Sequence, residues 1–276
     1  MTISVRNLLL TSLATVSAVI LLVFLWFAYQ VSLSAPLLTS MPIIRESRVI
    51  IWGISMEEGS IAWRLGALAG LGTLSLTGQV TILRLFRRSS SSPMLFLSLF
   101  LVSLILDLGK VGYLYFLSEG MTPMRLVILS RTIRFGHFFG LFALLSSSLY
   151  HAGVDYPKTG SVALVIGVVT ASLVYMLPID SLTIEPSLVH SAGARSTLQI
   201  VGAAIGLLVI LNGVFGALQR PENQLWLISI GYVFLVVGRE LVFYLITPAL
   251  TFLGIGLVLA GATLAVYRTR RLVLWQ

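Results

Sequence analysis

The chain contains no cysteine and very little charge. Only 10% of its 276 residues are Asp, Glu, Lys or Arg, whereas about a quarter of the residues of a soluble domain are charged. The lack of cysteine excludes disulfides, thiolate metal sites and a cysteine nucleophile. The scarcity of charge, together with a mean hydropathy of +1.00, excludes an ordinary soluble globular protein. The sequence therefore predicts a protein embedded in a lipid bilayer.

Motifs for catalysis and cofactor binding are also missing. The sequence has no His-Glu-x-x-His zinc motif and no Gly-x-Ser-x-Gly nucleophile elbow. Of its three histidines only His137 lies deep in an apolar run, so a histidine pair for haem is lacking. We therefore expect no catalytic residue, no metal and no cofactor, and no enzymatic activity. The net charge of +8 is typical of the cytoplasmic loops of a membrane protein, and we expect no nucleic-acid partner.

Eight long apolar runs fill most of the chain. A hydrocarbon core about 30 Å thick needs about 20 apolar residues per helix. The pattern predicts an all-α polytopic membrane protein of about eight transmembrane helices, in a single integral membrane domain over residues 1–276. The first run is too long for the apolar part of a signal peptide, so we expect it to stay as an uncleaved helix. The runs are residues 7–29, 61–85, 93–117, 123–150, 161–177, 196–218, 224–246 and 248–267.

The basic residues are distributed unequally between the two sides of such a bundle. One side, which includes the N-terminus, carries Arg6, Arg84, Arg87, Arg88, Lys158, Arg220, Arg268, Arg270 and Arg271. The other carries Arg45, Arg48, Arg64, Arg125 and Arg195. Since cytoplasmic loops are enriched in Lys and Arg, we expect both termini in the cytoplasm of a bacterial plasma (inner) membrane. The loop 32–59 should face outward, and its β-branched stretch 48–55 suits a short strand or an interfacial segment.

Helices two and three resemble helices six and seven. Both pairs contain a Gly-x-x-x-Gly motif, and both contain a glycine followed by a basic residue and, five residues further, a tyrosine. This favours a parallel four-plus-four repeat with halves 1–155 and 156–276, although chance recurrence in apolar helices is the alternative. We expect the glycine motifs to mark helix contacts within the bundle. The matching motifs are Gly66–Gly70 with Gly202–Gly206, and Gly109-Lys110 with Gly238-Arg239.

Seven ionisable side chains lie inside the apolar runs, near mid-depth or somewhat outward of it. A charge at that depth costs about 3 kcal/mol on insertion scales, so these groups must face one another or a water-filled cavity. We call them the charged belt: Asp107 and Lys110 in helix three, Arg131, Arg134 and His137 in helix four, and Arg239 and Glu240 in helix seven.

The spacing of the belt residues predicts how they meet. Asp107 and Lys110 are three residues apart and share a helix face. Helix four repeats its polar residues every three positions, which predicts a single stripe. The side chains of Arg239 and Glu240 point about 100° apart around the helix, so one should face the core of the bundle and the other a neighbouring helix. We expect Asp107 to pair with Arg131 or Arg134, and Glu240 with Arg134. Four fixed positive charges against two negative ones leave a surplus of about +2 for water or an anion.

Two function classes are compatible with this belt. The first is a small transporter or permease for an anionic or polar solute, in which Lys110, Arg134 and Arg239 line an anion-binding cavity and His137 exchanges a proton. The second is a non-catalytic membrane sensor, or a subunit of a membrane complex, that binds a ligand, a lipid or a partner protein. In the second class the belt holds helices together by ion pairs. The repeat and the positive surplus favour the first class.

Overall fold

A computed structural model describes residues 3–40, 49–51, 54–56, 61–87, 91–154, 158–185, 187–193, 195–219, 223–244 and 247–274. It confirms an all-α polytopic membrane protein. Seven helical spans of the described chain are long and apolar enough to cross a bilayer, and an eighth is shorter. The elements are α1 (Ile3–Ser40), β1 (Val49–Ile51), β2 (Ile54–Met56), α2 (Ile61–Phe86), α3a (Ser92–Leu106), α3b (Gly109–Ser118), α4 (Pro123–His151), α5 (Thr159–Tyr175), β3 (Ile179–Glu185), β4 (Val189–Ala192), α6 (Arg195–Gln219), α7 (Asn223–Tyr244) and α8 (Pro248–Leu274).

Both chain termini lie at one end of the helix bundle. Near the start of α1, Arg6 donates a 2.7 Å hydrogen bond to the carbonyl of Phe86, the last residue of α2. At the same level the imidazole of His151, the last residue of α4, lies 3.3 Å from the hydroxyl of Thr269 in α8. We call this the terminal end. The opposite end, where α4 begins and the β3–β4 hairpin lies, is the hairpin end.

The short helix α5 is the eighth span of the described chain that crosses the bundle from one end to the other. Its 17 residues span about 25 Å, slightly less than a hydrocarbon core. It runs antiparallel to α4, because the ring of Tyr175 at its end lies 5.3 Å from the guanidinium of Arg131 in the first half of α4. It therefore returns the chain from the terminal end to the hairpin end.

Two segments predicted as loops contain regular structure. The helix α1 continues to Ser40, past the predicted start of the loop at Ser32, since no charge interrupts the sequence before Arg45. The strand expected within residues 48–55 is confirmed, and it pairs as an antiparallel β1–β2 ribbon. The charged residues of that loop lie outside the described residues. Residues 179–185 and 189–192, which lie between the predicted runs 161–177 and 196–218, pair as the antiparallel β3–β4 hairpin.

Glycines allow a close contact between the backbones of α7 and α8. A Cβ on Gly261 would come within 2.6 Å of the carbonyl oxygen of Gly231, so the two backbones touch. Of the two predicted motifs, a Cβ placed on Gly206 would lie 2.8 Å from the side chain of Val236, whereas nothing lies within 4 Å of a Cβ placed on Gly66. The break in the third span also has no counterpart in α7. The repeat stays a prediction.

Hydrogen bonds between buried polar side chains tie the spans together. Near the terminal end, the hydroxyl of Tyr232 lies 2.7 Å from the hydroxyl of Ser147 and 2.9 Å from Nδ1 of His151. Nearer the middle, Gln79 of α2 donates to the hydroxyl of Ser17 in α1 at 2.9 Å. In an apolar solvent these contacts satisfy groups that water cannot reach.

Candidate functional site

The third span breaks where its first belt residue lies. The backbone amide of Asp107 donates to the carbonyl of Leu104, and the amide of Lys110 donates to the carbonyl of Asp107, both with a three-residue step. Such a 3₁₀ turn inside a helix often marks a functional position. Gly109 suits the turn, because a Cβ there would lie 3.2 Å from the side chain of Ile133 in α4. Asp107 and Lys110 are both completely buried.

Asp107 pairs with Arg239 of α7. Both guanidinium Nη atoms donate to the two carboxylate oxygens, and both side chains have no exposed surface. This two-pronged geometry is the strongest form of a charge-assisted hydrogen bond. The predicted partners Arg131 and Arg134 were wrong. The sequence showed that these residues share a depth, but it did not show which helix lies beside α3.

Lys110 binds the end of α7. Its ammonium donates to the backbone carbonyl of Phe243 and lies 4.4 Å from the centre of the Phe243 ring. Phe243 is the last residue but one of α7, so its carbonyl has no partner within the helix. The negative end of the helix dipole further favours a cation at this place. Asp107 lies close enough to attract the Lys110 ammonium, and Arg239, Arg64 and Arg134 lie close enough to repel it.

Glu240 points away from Arg239, as predicted, but its partner is His137 and not Arg134. Its carboxylate lies 3.3 Å from Nε2 of the imidazole. The side chain of Glu240 is 31% exposed and that of His137 only 5%, so the pair lies at one side of the bundle, near Gly202 of α6. The His137 ring also stacks on Phe243, with centroids 3.9 Å apart. Phe243 thus contacts both Lys110 and the histidine.

Arg134 meets the β3–β4 hairpin. Its Nη2 lies 3.1 Å from a carboxylate oxygen of Glu185 and donates a 2.7 Å hydrogen bond to the carbonyl of His190. Both side chains of the ion pair are about 95% buried. The backbone amide of His190 in turn donates to the hydroxyl of Ser130 in α4. Arg134 lies 11 residues into α4, about 16 Å along the helix axis from its start. The hairpin therefore extends into the bundle, well past the level at which α4 begins.

The hairpin fills a depression that the helices leave at the hairpin end. Helix α7 ends at Tyr244, close to the level of Lys110, whereas α3b and α4 extend further. Leu188 at the hairpin tip packs in a cluster with Phe24, Leu68 and Leu114, and Val189 packs with Phe243. Leu188 has a left-handed backbone with a φ of +60°, which is uncommon for leucine. Its burial holds it there, with 4% of its surface exposed.

Arg131 does not join the other belt residues. Its guanidinium lies over the ring of Tyr175 in α5, on a different side of α4. A step of three residues falls 60° short of a full turn, so Arg131 and His137 differ by about 120° around the helix. The predicted single stripe was therefore wrong for Arg131, whereas the other six belt residues converge.

Two charged residues join the converged group. Glu185 enters from the hairpin, and the buried side chain of Arg64 enters from the start of α2. The described group then holds four fixed cations and three carboxylates, so the predicted surplus of about +2 falls to +1. The signal for Glu185 was the short alternation Leu182-Thr183-Ile184 directly before it, which is typical of a strand with one buried face.

Comparison with known protein families, characterised proteins and solved structures found no match. Among the described residues, no three His, Asp or Glu side chains group in a way that could hold a metal ion.

Proposed function

We propose that the protein is a non-catalytic permease for a small anionic solute, held in a closed state by the β3–β4 hairpin. The observation that carries this proposal is the ion pair between Arg134, deep in α4, and Glu185 of the hairpin. A carboxylate from the hairpin, which connects two membrane spans, pairs with a buried arginine. A small carboxylate or phosphate offers the same chemistry to that guanidinium.

The energetics of buried ion pairs support an exchange of partners. Removing one member of such a pair typically costs about 3–5 kcal/mol, because the other charge is left without compensation. An anion that replaces Glu185 keeps Arg134 paired, so this cost does not arise. The described part of the group holds four fixed cations and three carboxylates, and this charge balance favours an anion over a cation. Phe243 contacts both Lys110 and His137, so it places Lys110 next to the His137–Glu240 pair.

The arrangement of the ends supports an orientation with both termini in the cytoplasm of a bacterial plasma (inner) membrane. Both termini belong to the same end of the bundle. By sequence, eight of the thirteen arginines outside the charged belt fall on that side, and cytoplasmic segments are enriched in basic residues. The hairpin would then face outward and close the belt from outside.

The test is thermal stabilisation of the purified protein by acetate, lactate and inorganic phosphate, in the wild type and in Glu185→Gln. Without an anion, Glu185→Gln should melt several degrees lower, because Arg134 loses its counter-charge. An anion at a hundred times its Kd adds about 2.7 kcal/mol, and its effect should be larger in Glu185→Gln than in the wild type. Glu119→Gln, which alters an exposed carboxylate, is the matched control and should behave like the wild type.

Opening of the hairpin can be measured separately, because the chain has no natural cysteine. Ser187 is 2% exposed and its hydroxyl lies 3.3 Å from Glu185. A Ser187→Cys variant should react slowly with a membrane-impermeant maleimide. An anion that displaces Glu185 should accelerate the reaction. If no anion changes either the melting temperature or the labelling rate, the permease proposal is rejected.

The second candidate is a non-catalytic sensor or a subunit of a membrane complex. One observation favours it: the three belt cations that converge each have a partner, namely Phe243 O for Lys110, Glu185 for Arg134 and Asp107 for Arg239. Under this proposal the belt holds the helices in place, and Glu185→Gln only destabilises the protein. The anion panel above therefore separates the two candidates.

A further inference from the structure

A groove on the side of the bundle lies between α4 and α5, away from the converged charges. Its volume is about 210 Å³. Three apolar side chains, Phe135, Ala171 and Val174, form one part of it, and Arg131, Thr132 and Tyr175 form the other. The groove holds one cation and no carboxylate. Helix α5 leaves large apolar side chains such as Leu164 and Val168 exposed, so the groove opens on the surface that faces lipid.

Arg131 is incompletely satisfied in this groove. Its guanidinium lies over the ring of Tyr175 at 5.3 Å, and its buried Nε has no hydrogen-bond partner among the described residues. Thr132 beside it already donates its hydroxyl to the carbonyl of Ile128. A cation–aromatic contact contributes about 0.5–2 kcal/mol, less than the cost of about 3 kcal/mol for a charge in hydrocarbon. The site therefore lacks an acceptor, and a phosphate group suits it.

The depth of Arg131 matches the headgroup boundary. The middle of α4, which spans Pro123–His151, falls at His137. Arg131 lies six residues, or about 9 Å, nearer the hairpin end. Helical side chains lean towards the N-terminus, so the arginine extends further the same way and reaches about the edge of a hydrocarbon core that extends ~15 Å from its middle. The apolar residues Phe135 and Val174 lie deeper.

We propose that this groove binds one phospholipid, with its phosphate on the guanidinium of Arg131 and an acyl chain along Phe135, Ala171 and Val174. The volume suits a single chain segment and not a partner helix, which is about 10 Å wide. The side chain of Arg131 is only partly buried, so the phosphate accepts from the accessible part of its guanidinium, while Tyr175, which is 76% exposed, contacts the guanidinium with its ring. This proposal is independent of anion transport through the belt.

The experiment is native mass spectrometry of the purified full chain with added phosphatidylglycerol, together with melting curves. The wild type should retain one lipid and melt at a higher temperature with it. Arg131→Gln should weaken this binding by about tenfold or more, since a hydrogen bond to a charged group contributes about 1.5–3 kcal/mol. Arg125→Gln is the matched control, because Arg125 lies on the same helix but is exposed.

Two further arms keep the test decisive. Ala171→Phe should fill the acyl part of the groove and weaken lipid binding without a change of charge, which separates lipid binding from any folding defect of Arg131→Gln. Diacylglycerol, which lacks the phosphate, should neither bind nor stabilise, and inorganic phosphate should not compete. Equal phosphatidylglycerol retention by the wild type, Arg131→Gln and Ala171→Phe would overturn the proposal. So would stabilisation by diacylglycerol equal to that by phosphatidylglycerol.

Discussion

Replacing Asp107 with asparagine tests the central ion pair of the bundle. The asparagine has the same shape as the aspartate but no charge, so the guanidinium of Arg239 keeps at most a neutral hydrogen-bond partner. Both side chains of the pair are completely buried, so neither water nor lipid headgroups can compensate the arginine. We expect the substitution to destabilise the protein without a change in helix packing.

The expected size follows from this burial. Removing one partner of a buried ion pair costs about 3–5 kcal/mol. For a soluble domain of 150–250 residues, 1 kcal/mol shifts the melting temperature by about 2–4 °C. Asp107→Asn should therefore melt roughly 6–20 °C below the wild type in the same detergent. Glu119→Gln, at an exposed position, should lie within about 2 °C of it.

A double-substitution cycle identifies the partner. Asp107→Asn and Arg239→Gln should be strongly non-additive, because the second substitution removes the charge that the first left alone. Asp107→Asn combined with Arg131→Gln should be additive, since Arg131 lies over Tyr175. The measurement is the melting temperature of all four proteins of each cycle. The reasoning fails if the Arg239 cycle is additive, or if the coupling appears with Arg131 instead.

Two further predictions concern the packing and the orientation of the bundle. Gly261→Val should lower the melting temperature by several degrees, because its Cβ would lie 2.6 Å from the carbonyl of Gly231 and overpacking costs about 1–3 kcal/mol. Gly256→Val, with nothing within 4 Å, is the matched control, and an equal loss in both would contradict the close contact. Fluorescent-protein and alkaline-phosphatase fusions after Gln276 should give fluorescence and no phosphatase activity, and active phosphatase there would overturn the proposed orientation.

Most of the helices were predictable from the sequence, because hydropathy reports length and apolar character directly. The break in the third span was not, since Asp107-Leu-Gly-Lys110 lies within an otherwise continuous apolar run. Its cause is tertiary: Asp107 and Lys110 both bind α7, and Gly109 lies against α4. The β3–β4 hairpin was also missed. Its apolar tip is buried among helices that are distant in sequence.

Six of the seven belt residues could be predicted to converge, because an intramembrane charge has few tolerable environments. Their partners could not be predicted, since depth along a helix does not determine which helix is adjacent. Glu185 is the clearest example of a partner that the sequence did not indicate. It lies between two predicted helices, yet it provides the counter-charge of Arg134. Phe243 was missed because its contribution to Lys110 is a backbone carbonyl, which any residue has.

Among the described residues, two buried arginines each pair with a carboxylate, and the two pairs differ in how firmly the backbone holds the carboxylate. Arg239 lies within α7 and Asp107 in the turn between α3a and α3b, so both belong to membrane spans and separating them requires those spans to move. Glu185 belongs to a two-stranded hairpin, which is at best marginally stable alone. Apart from its contacts with Arg134 and Ser130, the hairpin is held by the burial of Leu188 and Val189, worth about 1.5–3 kcal/mol each. An anion bound ~10⁴-fold more tightly by the open state contributes about 5.5 kcal/mol, a similar amount. Under the proposed permease function, opening at Arg134 therefore requires a ligand that strongly prefers the open state, and opening at Arg239 would require more, because whole spans would have to separate.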